Sequence, residues 1–283
     1  MLIGNRVKQC IDDQVLEVQS GFRPGRGCSD AIFILRRLQE AVIRVKQSTI
    51  LCFIDSTKAY DSIKRELAWA VFERRGMHPK IVKLLGDLHQ GTVSALRGAH
   101  RSPEGWFEVR TGFKQGDVNS PIMFNLFIDT VVRCLQPLLS QSGVRFVYRM
   151  DGQLRECKSR DMQEIAWILM YADDIALITE NESQMQAAVQ MVDCTFAQWG
   201  LDLSLKKTKI MPVGQRMVAD ITVKRGQIEQ VDAFKYLGSM SNSDASMQPE
   251  ISNRLSRAGH AFHKMAKSVE RPSSSKVCEV VSL

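Results

Sequence analysis

The chain has 283 residues, 44% hydrophobic, with 38 Lys and Arg against 31 Asp and Glu, a formal charge of +7 and a pI near 9.1. Such a length allows one large domain or two to three lobes with their own cores, and the basic balance favours a polyanionic partner without naming it. Seven cysteines, none in a CxxC pair, argue against a zinc ribbon or a disulfide framework; the absence of a signal-peptide core and of any apolar run near the ~20 residues of a bilayer span predicts an intracellular protein with no membrane partner.

From Ser29, the residues Ile32, Leu35, Leu38, Val42 and Val45 recur at helical spacing behind the turn-forming GFRPGRGCSD. TILCFID follows as a short apolar strand ending in Asp55. DSIKRELAWAVFERRG then reads as a helix with Ile63, Leu67, Ala70 and Val71 on one side and Gly76 as its stop. Pro79 and Gly91 bracket a short helix, and TVSALRG and EGWFEVRTG look like paired strands. NSPIMFNLFIDTVVRCLQPLLSQSG predicts a long buried helix with Ser120 as N-cap and Pro121 in its first turn.

VRFVYRMDGQLRECK predicts a hairpin turning at Asp151 and Gly152. A helix running to Trp199 should bury Met185, Ala188, Val192 and Phe196 and end at Gly200. From about Pro249 a last helix lines up Ile251, Leu255, Ala258, Phe262, Met265 and Val269, with Arg257, Lys264 and Lys267 opposite and Arg254 at the border. Its basic side is either the solvated face of a packed helix or a face that follows a phosphate backbone. The irregular alternation of elements predicts an α+β fold with helices on one face of a sheet.

One stretch carries chemistry. In ILMYADDIALITE, Asp173 and Asp174 interrupt apolar residues that read as two buried strands joined by a tight turn. Burying one carboxylate is costly and a second beside it adds repulsion, so a positive group is required; the stretch holds no Lys or Arg. If the strand ending in Asp55 is a neighbour, three carboxylates converge at one end of a sheet. Oxygen ligands of that kind suit Mg²⁺, and two such ions ~3.5–4 Å apart suit in-line phosphoryl displacement, hence nucleotidyl transfer.

At these residues the chain resembles a known family. FIDSTKAYDSIKREL, GFKQGDVNSPIMFNLFID, YADDIALI, GLDLSLKKTKIM and FKYLGS, in that order, look like motifs A to E of a reverse transcriptase, and the earlier QSGFRPGRGCSDAIFILRRLQE looks like the fingers motif of the non-LTR, LINE-like retrotransposon branch. The resemblance spans Ser20 to about Met265. It implies a right-hand polymerase with an antiparallel palm sheet packed on helices. The implied division is an incomplete fingers at 1–48, palm at 49–75, a fingers insertion at 76–110, palm with primer grip at 111–240 and a partial thumb at 241–283.

By the same resemblance, Asp55, Asp173 and Asp174 are the metal-binding aspartates for two Mg²⁺ ions, with Mn²⁺ as an alternative, and the Ser56 carbonyl is an extra candidate ligand. Tyr60 matches the aromatic gate that excludes a ribose 2′-hydroxyl, or else is a core aromatic at a helix start. Gln115 and Gly116 match the QG pair that meets template and nucleotide. Lys207 matches a general acid for the departing pyrophosphate, with Lys206 and Lys209 close by. Arg23 and Arg26 either hold the incoming triphosphate or stabilise their loop. Phe234, Lys235, Tyr236, Leu237 and Gly238 match the primer grip.

The implied partners are an RNA template, a DNA primer and deoxynucleoside triphosphates, and the implied setting is nuclear. Val118, Asn119 and Ser204 depart from the family pattern, and His260 and His263 lack companions for a zinc site. Two rivals stand: a group II intron maturase-like protein, and a truncated copy that only binds nucleic acid.

Overall fold

The computed structural model describes residues 6–7, 14–95, 106–148, 162–214 and 218–269. In chain order its elements are α1 (Cys28–Arg44), β1 (Thr49–Ile54), α2 (Ala59–Ser62), α3 (Arg65–Arg74), α4 (Pro79–His89), β2 (Val93–Ala95), β3 (Trp106–Glu108), α5 (Ser120–Leu139), β4 (Val144–Tyr148) and β5 (Met162–Ala166). There follow β6 (Ile168–Tyr171), β7 (Asp174–Thr179), α6 (Glu182–Gln198), β8 (Lys209–Val213), β9 (Thr222–Val223), β10 (Gly226–Gln227), β11 (Glu229–Gln230), β12 (Ala233–Tyr236), β13 (Ser239–Asn242) and α7 (Gln248–Val269).

Strand β1 is buried at every position, the pattern of a central strand covered on both faces. It lies antiparallel to β7 on one side and β8 on the other, in a sheet of order β11-β8-β1-β7-β6. The pairing is antiparallel except at the β11 edge, where β11 runs parallel to β8. Alternation along the strands divides the core in two. Ile50, Cys52, Ile54, Ile175 and Leu177 pack with the α5 and α6 residues Phe124, Phe127, Val131, Met185, Val189 and Phe196. Leu51, Phe53, Ala176 and Ile178 pack with Leu35, Leu38 and Val42 of α1 and with Tyr236 of β12. Helices therefore cover both faces, not one as expected, because α1 closes the side opposite α5 and α6.

Several local expectations shift by a residue or a face. Asn119, not Ser120, is the N-cap of α5; the Asp117 carboxylate accepts from the Asn119 N–H at 3.2 Å and the Ser120 hydroxyl at 3.4 Å, and so takes over the capping role. The helix expected after Asp55 breaks at Ile63 and Lys64 into α2 and α3; Ile63 and Val71 are buried and Leu67 packs on the core as expected, while Ala68 and Phe72 are buried and Ala70 is exposed. Val45 falls beyond the last turn of α1 and is exposed. The strands β2 and β3 pair, as do β4 and β5, while the turn expected at Asp151 and Gly152 lies outside the described residues.

Helix α5 also corrects the expectation that no apolar run reaches bilayer length. It is long and apolar enough by composition, and 67% of its most apolar 18-residue stretch is buried inside the protein. Its buried Asp129 binds Arg75 at 3.0 Å and Arg133 at 2.8 Å and accepts the Leu16 N–H at 2.6 Å, so α3, α5 and the chain's early segment are tied at one point. In α7, Ile251, Leu255, Phe262 and Met265 form the expected stripe, but it is exposed.

Candidate active site

Asp55 is the first residue after β1. The register pairs Ile54 with Ile175, so one further step sets Asp55 opposite Asp174. Strands β6 and β7 pair Tyr171 with Asp174, which leaves Ala172 and Asp173 as a two-residue turn. β1 and β7 are neighbours, and sheet formation thus brings the three aspartates to one end of adjacent strands.

Burial pushes up the Asp173 carboxyl, with Asp55 adding repulsion and Lys207 opposing. Burial likewise pushes Asp174 up to about 6, reinforced by Asp173 and Asp55 and opposed by Lys207. Asp174 is nonetheless partly open to water, which tempers the effect. The positive charge that YADD lacks locally arrives from the β8 side: Lys207 Nζ donates to Asp55 Oδ1 at 3.2 Å. One ammonium against three carboxylates leaves negative charge uncompensated, and the donors are all carboxylate oxygens, which suits a hard divalent cation. Among the described residues, no three His, Cys, Asp or Glu side chains stand close enough together to enclose an ion as placed.

Tyr60 lies half-buried, its ring stacked on Phe124 with centroids 4.1 Å apart and planes at 7°. Burial, and next the charge of Asp173, raise its phenol above the ordinary value, which sets Tyr60 beside the acidic turn. Gln115 donates to Asp61 Oδ1 at 3.1 Å, one residue after Tyr60. Gly116 has φ +88°, and a Cβ there would meet no described atom within 4 Å.

The two fingers arginines are engaged by their own loop. Arg23 donates to the carbonyls of Leu16 and Gln19 at 3.2 and 3.3 Å, and Arg26 pairs with Glu17. Of the two roles left open for them, this geometry matches loop stabilisation.

The segment expected as primer grip is the β12–β13 hairpin, which turns through Leu237 (φ 47°) and Gly238 (φ 85°) and runs to Asn242, past the division placed at 240. Phe234 stacks on Phe53 at 4.4 Å; Tyr236 is buried and Lys235 exposed. Arg36 of α1 donates to Ser239 Oγ at 2.9 Å, and Gln39 of α1 donates to Asn242 O at 2.9 Å, fastening the hairpin to that helix.

Three residues at this site lie within the quoted motif stretches but have no charge or reactivity to single them out. Gln19 binds Ala172 of the YADD turn, Asn125 binds Gly21 in the segment beside it, and Phe124 backs Tyr60. Gln19 sits 153 residues from its partner Ala172, and Phe124 reads as one more apolar residue of a buried helix.

Comparison with known proteins places this geometry. The chain is 25% identical over 231 residues to the retrovirus-related Pol polyprotein of the type-2 retrotransposable element R2DM of Drosophila melanogaster, covering 78% of the chain and 20% of that polyprotein. To the R2 Pol polyprotein of Nasonia vitripennis it is 23% identical over 226 residues, covering 76% and 20%. The chain thus spans about a fifth of these relatives' length. Among solved structures, telomerase from Candida albicans in complex with a fragment of telomeric RNA superposes with TM-score 0.57 at 13% identity, over 86% of this chain and 36% of that one. Apo telomerase from Candida tropicalis, truncated from its C-terminal domain, gives 0.53 at 13%, over 86% and 42%. These likenesses show the right-hand polymerase fold. The family model for reverse transcriptase (RNA-dependent DNA polymerase) matches residues 1–240, and the chain belongs to that family.

Proposed function

We propose that the chain is the polymerase core of a retrotransposon enzyme that adds deoxynucleotides to a primer 3′-hydroxyl on an RNA template. One observation carries the reading: the β1–β7 register brings Asp55 opposite Asp174, beside Asp173, at the end of a sheet buried on both faces. The R2 relatives and the family support the substrate class. Asp55, Asp173 and Asp174 would hold two Mg²⁺ ions, or Mn²⁺. When bound, such ions lower the pKa of the attacking hydroxyl and stabilise charge on the leaving oxygen.

The protein's own share is positioning and electrostatics. Tyr60, its ring stacked on Phe124, feels the charge of Asp173, and at that position it would crowd a ribose 2′-hydroxyl. Gly116 leaves space for template and nucleotide to approach the backbone. Lys207, adjacent to Asp55, is the nearby ammonium that can give a proton to pyrophosphate. The β12–β13 hairpin, stacked through Phe234 on Phe53 of β1, offers its exposed Lys235 to the primer strand.

The test is primer extension on an RNA template with Mg²⁺, comparing the parent with Asp173→Asn and deoxy- with ribonucleotides. Deoxynucleotide-dependent extension that the variant loses is expected. RNA binding without extension by the parent would replace the polymerase with a binding module.

A further inference from the structure

The YADD turn is braced from outside its own hairpin. Ala172 has φ 56°, a left-handed conformation that an alanine avoids and that two-residue turns usually give to Gly, Asn or Asp. The fully buried Gln19 meets this peptide from both sides. Its Oε1 accepts the Ala172 N–H at 2.8 Å, and its Nε2 lies 3.4 Å from the Ala172 carbonyl, to which it donates. The same Oε1 accepts the Gly21 N–H at 2.8 Å.

The segment around Gln19 is itself fastened. The Ser20 N–H donates to Met170 O at 2.8 Å and the Met170 N–H donates to Val18 O at 3.0 Å, which lays 18–20 along β6, the outer strand of the sheet. Asn125 of α5 donates to Gly21 O at 2.6 Å. A Cβ on Gly21 would lie 2.5 Å from the Ala172 nitrogen, so the strap and the turn are in van der Waals contact. Covering a sheet edge needs only the backbone bonds of 18–20. The Gln19 side chain does something further: it binds the one strained peptide between Tyr171 and the two aspartates.

We propose that Gln19 is a positioning residue, whose carboxamide holds Ala172 left-handed and so fixes where Asp173 and Asp174 present their carboxylates to a divalent cation. The inference rests on the polymerase reading for what the carboxylates do, and on geometry alone for what Gln19 does. Groups that orient ligands without touching the ion shift metal affinity by about 10–100-fold when removed. Gln19→Met keeps size and apolar packing and removes both kinds of hydrogen bond.

The experiment uses the full chain in three forms: parent, Gln19→Met, and Gln19→Met with Ala172→Gly. Each is read by Mn²⁺ binding through loss of the free-ion paramagnetic signal, by hydrogen exchange at the Ala172 amide, and by thermal unfolding. In Gln19→Met the Ala172 amide should exchange faster and Mn²⁺ should bind about tenfold or more weakly. Glycine at 172 takes a positive φ without strain, so the double variant should recover stability lost by the single one while its Mn²⁺ binding stays weak. Mn²⁺ affinity that is unchanged in Gln19→Met, or that returns together with stability in the double variant, overturns the positioning role and leaves Gln19 a fold contact. A parent that neither binds Mn²⁺ nor extends a primer defeats the polymerase reading itself, a result distinct from a working parent with an indifferent Gln19.

Discussion

Alanine at Gly21 and alanine at Gly116 should fail for opposite physical reasons. At Gly21 the new Cβ would sit 2.5 Å from the Ala172 nitrogen and 3.0 Å from the Tyr171 carbonyl carbon, both backbone atoms that cannot swing aside. Overpacking of that kind costs about 1–3 kcal/mol, and loosening the buried hydrogen bonds of Gln19 adds about 1 kcal/mol. A loss of about 2–4 kcal/mol follows, which for a chain of this size lowers Tm by roughly 3–7 °C. At Gly116 the Cβ meets no described atom within 4 Å, and the cost is the left-handed φ of +88° alone. That strain of about 1–2 kcal/mol is partly offset by about 0.4–1 kcal/mol from a stiffer unfolded chain, leaving about 1.6 kcal/mol or less. If the empty space belongs to template and nucleotide, extension should nevertheless fall about tenfold or more, equivalent to about 1.4 kcal/mol of transition-state binding. Urea unfolding followed by tryptophan fluorescence gives the first pair of numbers, and steady-state primer extension gives the second. The reasoning is refuted if Gly116→Ala loses as much stability as Gly21→Ala, or if Gly116→Ala extends primers at the parent rate.

In EDTA, the raised carboxyls of Asp173 and Asp174 make the folded protein bind protons more tightly than the unfolded chain. Their stabilising contribution is full below the ordinary value of 3.8 and is lost as pH rises through about 6 at Asp174. Melting temperature should therefore fall across that window more in the parent than in Asp174→Asn, by a small margin given the solvent access of Asp174; parallel curves would count against it. Asp129→Ala leaves Arg75, Arg133 and the Leu16 N–H without their shared carboxylate and should cost about 3 kcal/mol in denaturant unfolding; a loss under about 1 kcal/mol would show that water replaces it. Lys207 is 66% exposed, so Lys207→Ala should change stability by less than about 1 kcal/mol and slow extension about 100-fold; an unchanged rate removes it as the acid. Tyr60→Val should admit ribonucleotides and lose about 1 kcal/mol of ring stacking; unaltered discrimination in paired deoxy- and ribonucleotide reactions would free Tyr60 from the gate.

What could be read in the residues follows the range of the signal. Asp173 and Asp174 stand out because charge interrupts apolar strands within a dozen positions, and β1 stands out because TILCFI has no polar face. The six buried positions of β1 also imply cover on both sides, although the element pattern alone pointed to one layer of helices. Gln39 and Arg36 look like the polar side of α1 until β13 arrives, about 200 residues later, to bond with them. Of the face expected after Asp55, Ile63, Leu67 and Val71 pack on the core across the break at Ile63 and Lys64, and Ala70 alone turns outward while Ala68 and Phe72 turn in. Periodicity found the α7 stripe correctly, yet periodicity reports only that a helix has an apolar side. Ile251, Leu255, Phe262 and Met265 are 45%, 68%, 74% and 68% exposed, so burial needed information about neighbours that spacing does not contain.

The site itself divides along the same line. Its chemistry is local: three carboxylates, an aromatic five positions after the first, and a lysine. Its precision is not. The turn that carries Asp173 contains a left-handed alanine and like charges that repel, so the hairpin alone is a poor way to hold it. What opposes that strain comes from far along the chain: Gln19 on the Ala172 peptide, Asn125 on Gly21, Phe124 behind Tyr60, and the β12–β13 hairpin against Phe53. Gln19, Asn125 and Phe124 carry no charge or reactivity, and each looks in sequence like an ordinary packing residue, whereas the hairpin's FKYLGS is legible by resemblance. A chain in which the aspartates were kept and these supports replaced would still read as a polymerase, while its carboxylates would lose the fixed geometry that nucleotidyl transfer demands.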